Sequence, residues 1–210
     1  MKLDVLIPVG PGHSDLYRRA ADSVRIATLQ KGPFDVVSMR IGDDQDGSDG
    51  RSATRNFMAD GSEADWLFFL DADDLMHPKA LEAMTDYMDM DAVFGQITEL
   101  KDGVMMERYQ VPEIPGYKEL LAFDPYLTLQ MGHFVRRDVF LGLRFNEDMD
   151  TGEDWDYYLR LWKDNRCIKA PVPLMLNVKG QHSQGPRSAT GQDWVAKVDA
   201  MLEQARKDAA

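Results

Sequence analysis

The stretch Asp65–Asp74, DWLFFLDADD, decides the fold class of this 210-residue chain. Trp66 to Leu70 is an unbroken apolar run, which is how a strand buried on both faces reads, and it runs straight into three acids within four residues. Working outward, Leu3–Val9 (LDVLIPV) is a second such run, ended by Gly10-Pro11-Gly12. Ser14 is placed to cap a helix along which Leu16, Ala20, Val24 and Ala27 recur at helical spacing. Phe34–Ile41 reads as a strand leading into GDDQDGSDG, and Ser52–Ala59 as a short helix. Beyond the acidic turn, Pro78 suits the first turn of a helix reaching about Met88. Strand, helix, strand, helix, strand at this spacing predicts an α/β fold, Rossmann-like, with a mostly parallel central sheet flanked by helices.

The second half is less regular. Ala92–Leu100 and Val104–Val111 flank Lys101-Asp102-Gly103 as a hairpin. Leu120–Met131 begins as a helix and is broken at Pro125, and Arg137–Leu143 reads as a short helix. The loop FNEDMDTG precedes a firm helix from Glu153 to about Lys163, and Val172–Val178 reads as a strand. Gln192–Ala209 is an amphipathic helix with Trp194, Val198, Met201 and Ala205 on one side. No repeat and no Gly-, Pro- or Ser-rich linker divides the chain, so a single domain is expected.

Composition narrows the function. The formal charge is −12, and 27 of the 36 acids are Asp. Such a surface repels phosphate backbones and anionic lipid heads, which argues against a nucleic-acid or membrane-surface role. No apolar run is long enough to span a bilayer or form a signal peptide, and the one cysteine, Cys167, can make no internal disulfide. A soluble protein of a reducing compartment, most simply the cytoplasm, is expected. Asp prefers caps, turns and cation-binding loops to helix interiors, so the surplus points at loops.

Asp71-x-Asp73-Asp74 lies where ligands collect in α/β sheets, outside the carboxyl end of a strand. Carboxylates there suit Mg²⁺ or Mn²⁺; the plain alternative is an acidic turn ahead of a helix. Gly152-Glu153-Asp154-Trp155-Asp156 opens a helix whose Trp155, Leu159 and Trp162 form an apolar face. Asp154 sits beside that face, where a half-buried carboxylate can serve as general base, or simply complement the helix dipole. The rings of Trp155, Tyr158 and Trp162 read as core. His13, His77 and His133 read as surface or packing residues, and Ser183 and Ser188 lack the setting of a nucleophile. Gly10-Pro11-Gly12 lacks the third glycine of a dinucleotide loop, and there is no GxxxxGK[ST] phosphate loop.

Taken in order, LDVLIPV, the Asp-Gly-Ser loop, GRSATRN, LDADD, FNEDMDTGEDWDYYLRLW and His182-Ser183 resemble the GT-A family-2 glycosyltransferases, from about Leu3 to Ser183. The resemblance implies an inverting enzyme that moves a sugar from a nucleotide-diphosphate sugar, a UDP-sugar first, to a carbohydrate or other hydroxyl acceptor. It implies a hexosyltransferase-type reaction in polysaccharide biosynthesis, dependent on Mn²⁺ or Mg²⁺. Residues 1–100 would hold donor and metal, 101–185 the acceptor and base, and 190–208 a C-terminal helix. Pro8 and Val9 would line the nucleotide pocket, Asp44 or Asp43 would contact base or ribose, and Arg55 would lie near the donor. Asp71 would face the ribose or sugar, Asp73 would bind the metal, Asp154 would be the base, and His182 matches a late His that joins the metal or the leaving phosphates. The chain departs from the family in running almost directly from Asp49-Gly50 into Arg51, where a helix and strand usually intervene. That shortening motivates an alternative, a non-catalytic sugar-nucleotide binder. A haloacid-dehalogenase-like phosphatase is a distant third, because its Asp-x-Asp belongs on the first strand.

Overall fold

The computed structural model describes residues 1–179 and 191–209. In chain order the strands are β1 (Lys2–Val9), β2 (Val36–Asp43), β3 (Trp66–Phe69), β4 (Leu75–Met76), β5 (Ala92–Lys101), β6 (Val104–Glu107), β7 (Phe134–Arg136) and β8 (Cys167–Val178). The helices are α1 (Tyr17–Ala27), α2 (Arg51–Asp60), α3 (Ala80–Ala83), α4 (Tyr117–Ala122), α5 (Arg137–Leu143), α6 (Glu153–Asp164) and α7 (Gly191–Asp208).

One sheet runs in the order β2-β1-β3-β7-β5-β8-β4, with β6 paired to β5. The long registers, β1 with β2 and β5 with β8, are parallel, as is β1 with β3. The antiparallel pairings of β3 and β5 with β7, β5 with β6, and β4 with β8 are short. The α/β, mostly parallel expectation therefore holds, with antiparallel joints where the two halves meet.

Strand alternation sends side chains to two cores, one on each face. Leu3, Val5, Ile7 and Val9 join Trp66, Phe68, Phe134 and the buried face of α1. Leu6, Leu67 and Phe69 join Phe94, Val135 and the aromatics of α6, including Trp155, Tyr157, Tyr158 and Trp162. Full burial of such side chains contributes about 1.5–3 kcal/mol each before entropic losses.

Several elements differ from the sequence expectation. Ser14 is no helix cap: His13 O accepts from the N–H groups of Leu16 and Tyr17, and α1 starts at Tyr17 without a side-chain cap. The helix after Pro78 is one turn, α3, tightened into a 3-10 turn at Met84–Tyr87, where Thr85, Asp86 and Tyr87 are weak helix formers. β6 ends at Glu107 because Gln110 pairs with β5 through its side chain. Its amide oxygen accepts from Ile97 N at 2.8 Å, and its amide nitrogen donates to Ile97 O at 3.0 Å. β8 starts five residues before Val172, at Cys167, and the brief strands β4 and β7 have no periodic signature of their own.

Candidate active site

Because β1, β2 and β3 are parallel, their last residues share one edge of the sheet. Pro8 and Val9 are buried there as a floor. Asp44 N donates to Val9 O at 2.9 Å, while the Asp44 carboxylate accepts from Asp49 N (3.0 Å) and Gly50 N (2.9 Å). Asp44 is thus turned inward to fold the loop, and Asp43, whose carboxylate accepts from the backbone and side-chain amides of Gln45, is the exposed acid of that pair.

Gly50 (φ 83°) and Gly152 (φ 72°) stand immediately before α2 and α6, each in a backbone region open to glycine at little cost. α2 delivers Arg55, which is 4% exposed. Its guanidinium donates to Asp71 Oδ1 at 2.6 Å and to Glu153 Oε1 at 3.4 Å, and lies over the Phe145 ring. Burial opposes the Arg55 charge, but Asp71 and Glu153 outweigh it and raise its pKa. Asn56, the next residue, exchanges hydrogen bonds with Phe145 N and O and donates to Glu147. Arg51 reaches Glu153 at 3.5 Å. The helix after the second-strand loop therefore ties the third-strand acids to the start of α6.

Asp71, Asp73 and Asp74 can each bring a carboxylate oxygen within 4.8 Å of the others. Asp71 and Asp73 are half-buried; Asp74 is buried and accepts from Asn177 Nδ2 (3.1 Å) and Val178 N (2.9 Å) of β8. Burial, and then the charges of Asp71 and Asp73, push the Asp74 carboxyl well above the usual range. An all-oxygen donor set under this mutual repulsion fits a hard divalent cation, which would relieve it.

At the start of α6, Asp154 Oδ1 accepts from its neighbour's backbone N–H, Trp155 N, at 2.8 Å and from the Trp194 indole N–H of α7 at 3.4 Å. Burial, reinforced by Glu153, pushes Asp154 up to about 7. Oδ2 accepts no hydrogen bond among the described residues, so one oxygen is oriented and the other can take a proton. The ring of Tyr126 packs on Trp194 at 4.8 Å, giving the site an aromatic wall.

The structure thus brings Arg55, Asp71, Asp73 and Asp154 to one edge, with Asp43 on the adjoining loop. His182 lies outside the described residues, as do Ser183 and Ser188. Sequence reasoning missed Glu153 as the second partner of Arg55, although it adjoins Asp154, and missed Trp194, which no local pattern links to residue 154. His133 is a packing residue, stacked on Phe94 at 4.4 Å. His77 Nδ1 accepts from Lys79 N. His13 is no such bystander: its ring is buried beside Asp73.

The glycosyl transferase family 2 profile matches residues 43–140, which take in the second-strand loop, α2 and the Asp cluster but stop short of α6. An uncharacterized glycosyltransferase of Methanocaldococcus jannaschii is 28% identical over 118 residues, 53% of this chain and 40% of that protein. The crystal structure of S. aureus TarS 1-349 superposes with a TM-score of 0.67 at 14% identity, covering 98% of this chain and 65% of that one. TarS 1-349 in complex with UDP-GlcNAc gives 0.68 at 15%, covering 98% and 66%. At such identity the likeness to TarS is one of fold. The chain spans less than half the length of the curated relative and just under two thirds of the TarS 1-349 chain.

Proposed function

We propose that this chain, a GT-A-fold, family-2-like glycosyltransferase by sequence and architecture, moves a sugar with inversion from a nucleotide-diphosphate sugar to an acceptor hydroxyl. The observation that carries the reading is the Arg55 bridge, which holds the Asp71 side of the donor edge against the Glu153-Asp154 start of α6.

Asp154 Oδ2 takes the proton of the acceptor hydroxyl as that oxygen bonds to the anomeric carbon. On the opposite face the bond from that carbon to the diphosphate breaks, and the nucleotide diphosphate leaves with the electron pair. A base poised near neutrality supplies about 10²–10⁴ in rate. Asp73, with Asp71 beside it, would hold the divalent ion, Mn²⁺ or Mg²⁺. Such an ion supplies positive charge to a diphosphate that an acidic protein otherwise repels. Asp43 and the floor at Pro8 and Val9 receive the nucleotide. UDP is the first nucleotide to test, because TarS has been crystallised with UDP and with UDP-GlcNAc. The acceptor, in a setting of polysaccharide synthesis, approaches over Tyr126 and Trp194, since aromatic faces suit sugar rings. The chain acts as one domain, with donor residues in 1–100, acceptor and base residues in 101–185 and the closing helix in 190–208. One sheet shared by both halves supports this. Among the described residues no helix is long and apolar enough to cross a membrane, and burial pushes the Cys167 thiol up, away from reactivity. A cytoplasmic setting, the simplest one for the sequence, completes the proposal.

A panel of nucleotide sugars with Mn²⁺ or Mg²⁺, read by thermal shift and by release of nucleotide diphosphate, tests the proposal. A donor that raises Tm and is turned over only with acceptor present supports transfer. A donor that binds and is never turned over would establish the non-catalytic binder instead, and no stabilisation by any donor would remove the reading altogether.

A further inference from the structure

His13 is locked in place at the mouth of β1. Its N–H donates to Gly10 O at 3.1 Å across the Gly10-Pro11-Gly12 turn, and its carbonyl accepts from Leu16 N at 3.0 Å and Tyr17 N at 3.2 Å. The side chain is 7% exposed, and Nε2 is buried without a hydrogen-bond partner among the described residues. A buried polar atom left so carries its desolvation penalty uncompensated, so a fixed backbone that aims it at one spot implies something that satisfies it there. That spot faces Asp73: Nε2 lies 4.0 Å from Asp73 Oδ2. The separation is too long for a hydrogen bond and suits two donors of one ion, which sit about 3–4.2 Å apart when each is roughly 2.1 Å from the metal.

We infer that His13 Nε2 is a direct ligand of the divalent cation that Asp73 holds, adding a nitrogen to the oxygen set of the Asp cluster. Neutral imidazole offers a lone pair at Nε2 and is a softer donor than carboxylate. It favours a first-row transition ion such as Mn²⁺ over Mg²⁺, which keeps to oxygen and water. The inference rests on the proposed cation role of Asp73 and goes beyond it, by naming a ligand from the turn after the neighbouring strand β1 and a metal preference.

The test is pulsed EPR of Mn²⁺, added alone and with UDP, to the full chain. Wild type should show a directly coordinated ¹⁴N that H13Q and H13N both lose while H182Q retains it. By calorimetry H13Q should weaken Mn²⁺ binding about 10- to 100-fold and leave Mg²⁺ within about threefold. Bound Mn²⁺ with oxygen ligands only in the wild type overturns the inference without any variant having to fold, and leaves the Asp73 site standing. A nitrogen signal that survives H13Q and disappears in H182Q overturns it equally. Absence of Mn²⁺ binding that D73N can remove overturns both the inference and the metal reading beneath it.

Discussion

In the loop from Asp43 to Gly50 the carboxylates of Asp44 and Asp46 are answered from a few residues away: Asp46 by Ser48, and Asp44 by the backbone of Asp49 and Gly50. At the adjoining edge the partners come from far along the chain. Asp71 and Glu153 share Arg55, Asp74 is held by β8, and Asp154 is held in part by Trp194 of α7. The electrostatics diverge accordingly. Backbone and then side-chain hydrogen bonds from Ser48 lower the Asp46 pKa, whereas burial and neighbouring acids raise Asp74 and Asp154. Acids that receive local N–H donors fold a loop; acids crowded against one another carry an unfavourable charge that a ligand, a proton or a cation can relieve. The same residue type serves scaffold and chemistry, and the difference lies in who answers it.

The sharpest way to break that contrast is Asp154→Asn, which keeps the acceptor oxygen for Trp155 N and removes the base. We expect kcat to fall about 10²–10⁴-fold with donor affinity retained, as read by steady-state kinetics beside calorimetry. In the wild type, transfer should rise with pH through about 7, since the ionised carboxylate is the active form. Stability runs the other way. Asp154 in the folded chain holds its proton from its ordinary pKa of 3.8 up to about 7, so its contribution falls as pH rises through that window. Asp154→Asn should therefore raise Tm relative to wild type at pH 8 and change it little at pH 4. Next in size, Arg55→Met removes the cation from Asp71 and leaves buried Glu153 with only Arg51 beside it among the described residues. Chemical denaturation should show a loss of about 3–5 kcal/mol, the cost of an uncompensated buried charge.

The legible and illegible parts of the molecule divide along a similar line. β1 and β3 were readable because continuous apolar runs and abrupt acidic ends are local, and so were the two motifs at Asp71 and Glu153. β7 was not, because Phe134–Arg136 becomes a strand only by lying between β3 and β5. Nor did any pattern distinguish Asp43 from Asp44: the inward turn of Asp44 depends on a bend that brings Asp49 and Gly50 back over it. His13 looked like a bystander because its distance from Asp73, sixty residues on, is set by the parallel pairing of β1 and β3. Trp194 and Asp154 meet only because α7 packs back on α6.

The smallest effects test the scaffold side of the contrast. Asp44→Ala removes an acceptor for two backbone N–H groups at the entry to α2, much as losing a helix cap does, and should cost about 1–2 kcal/mol in denaturant. Because the Asp44 carboxylate is answered among the described residues by nearby backbone N–H groups, Mn²⁺ affinity should stay within about twofold of wild type in calorimetry at a temperature where both are folded. Asp46→Ala removes bonds to Ser48 alone at an exposed position and should leave Tm unchanged within error. A loss of Mn²⁺ binding in either variant would show that the loop's acids belong to the chemistry after all, and would erase the division between acids that fold the edge and acids that act on it.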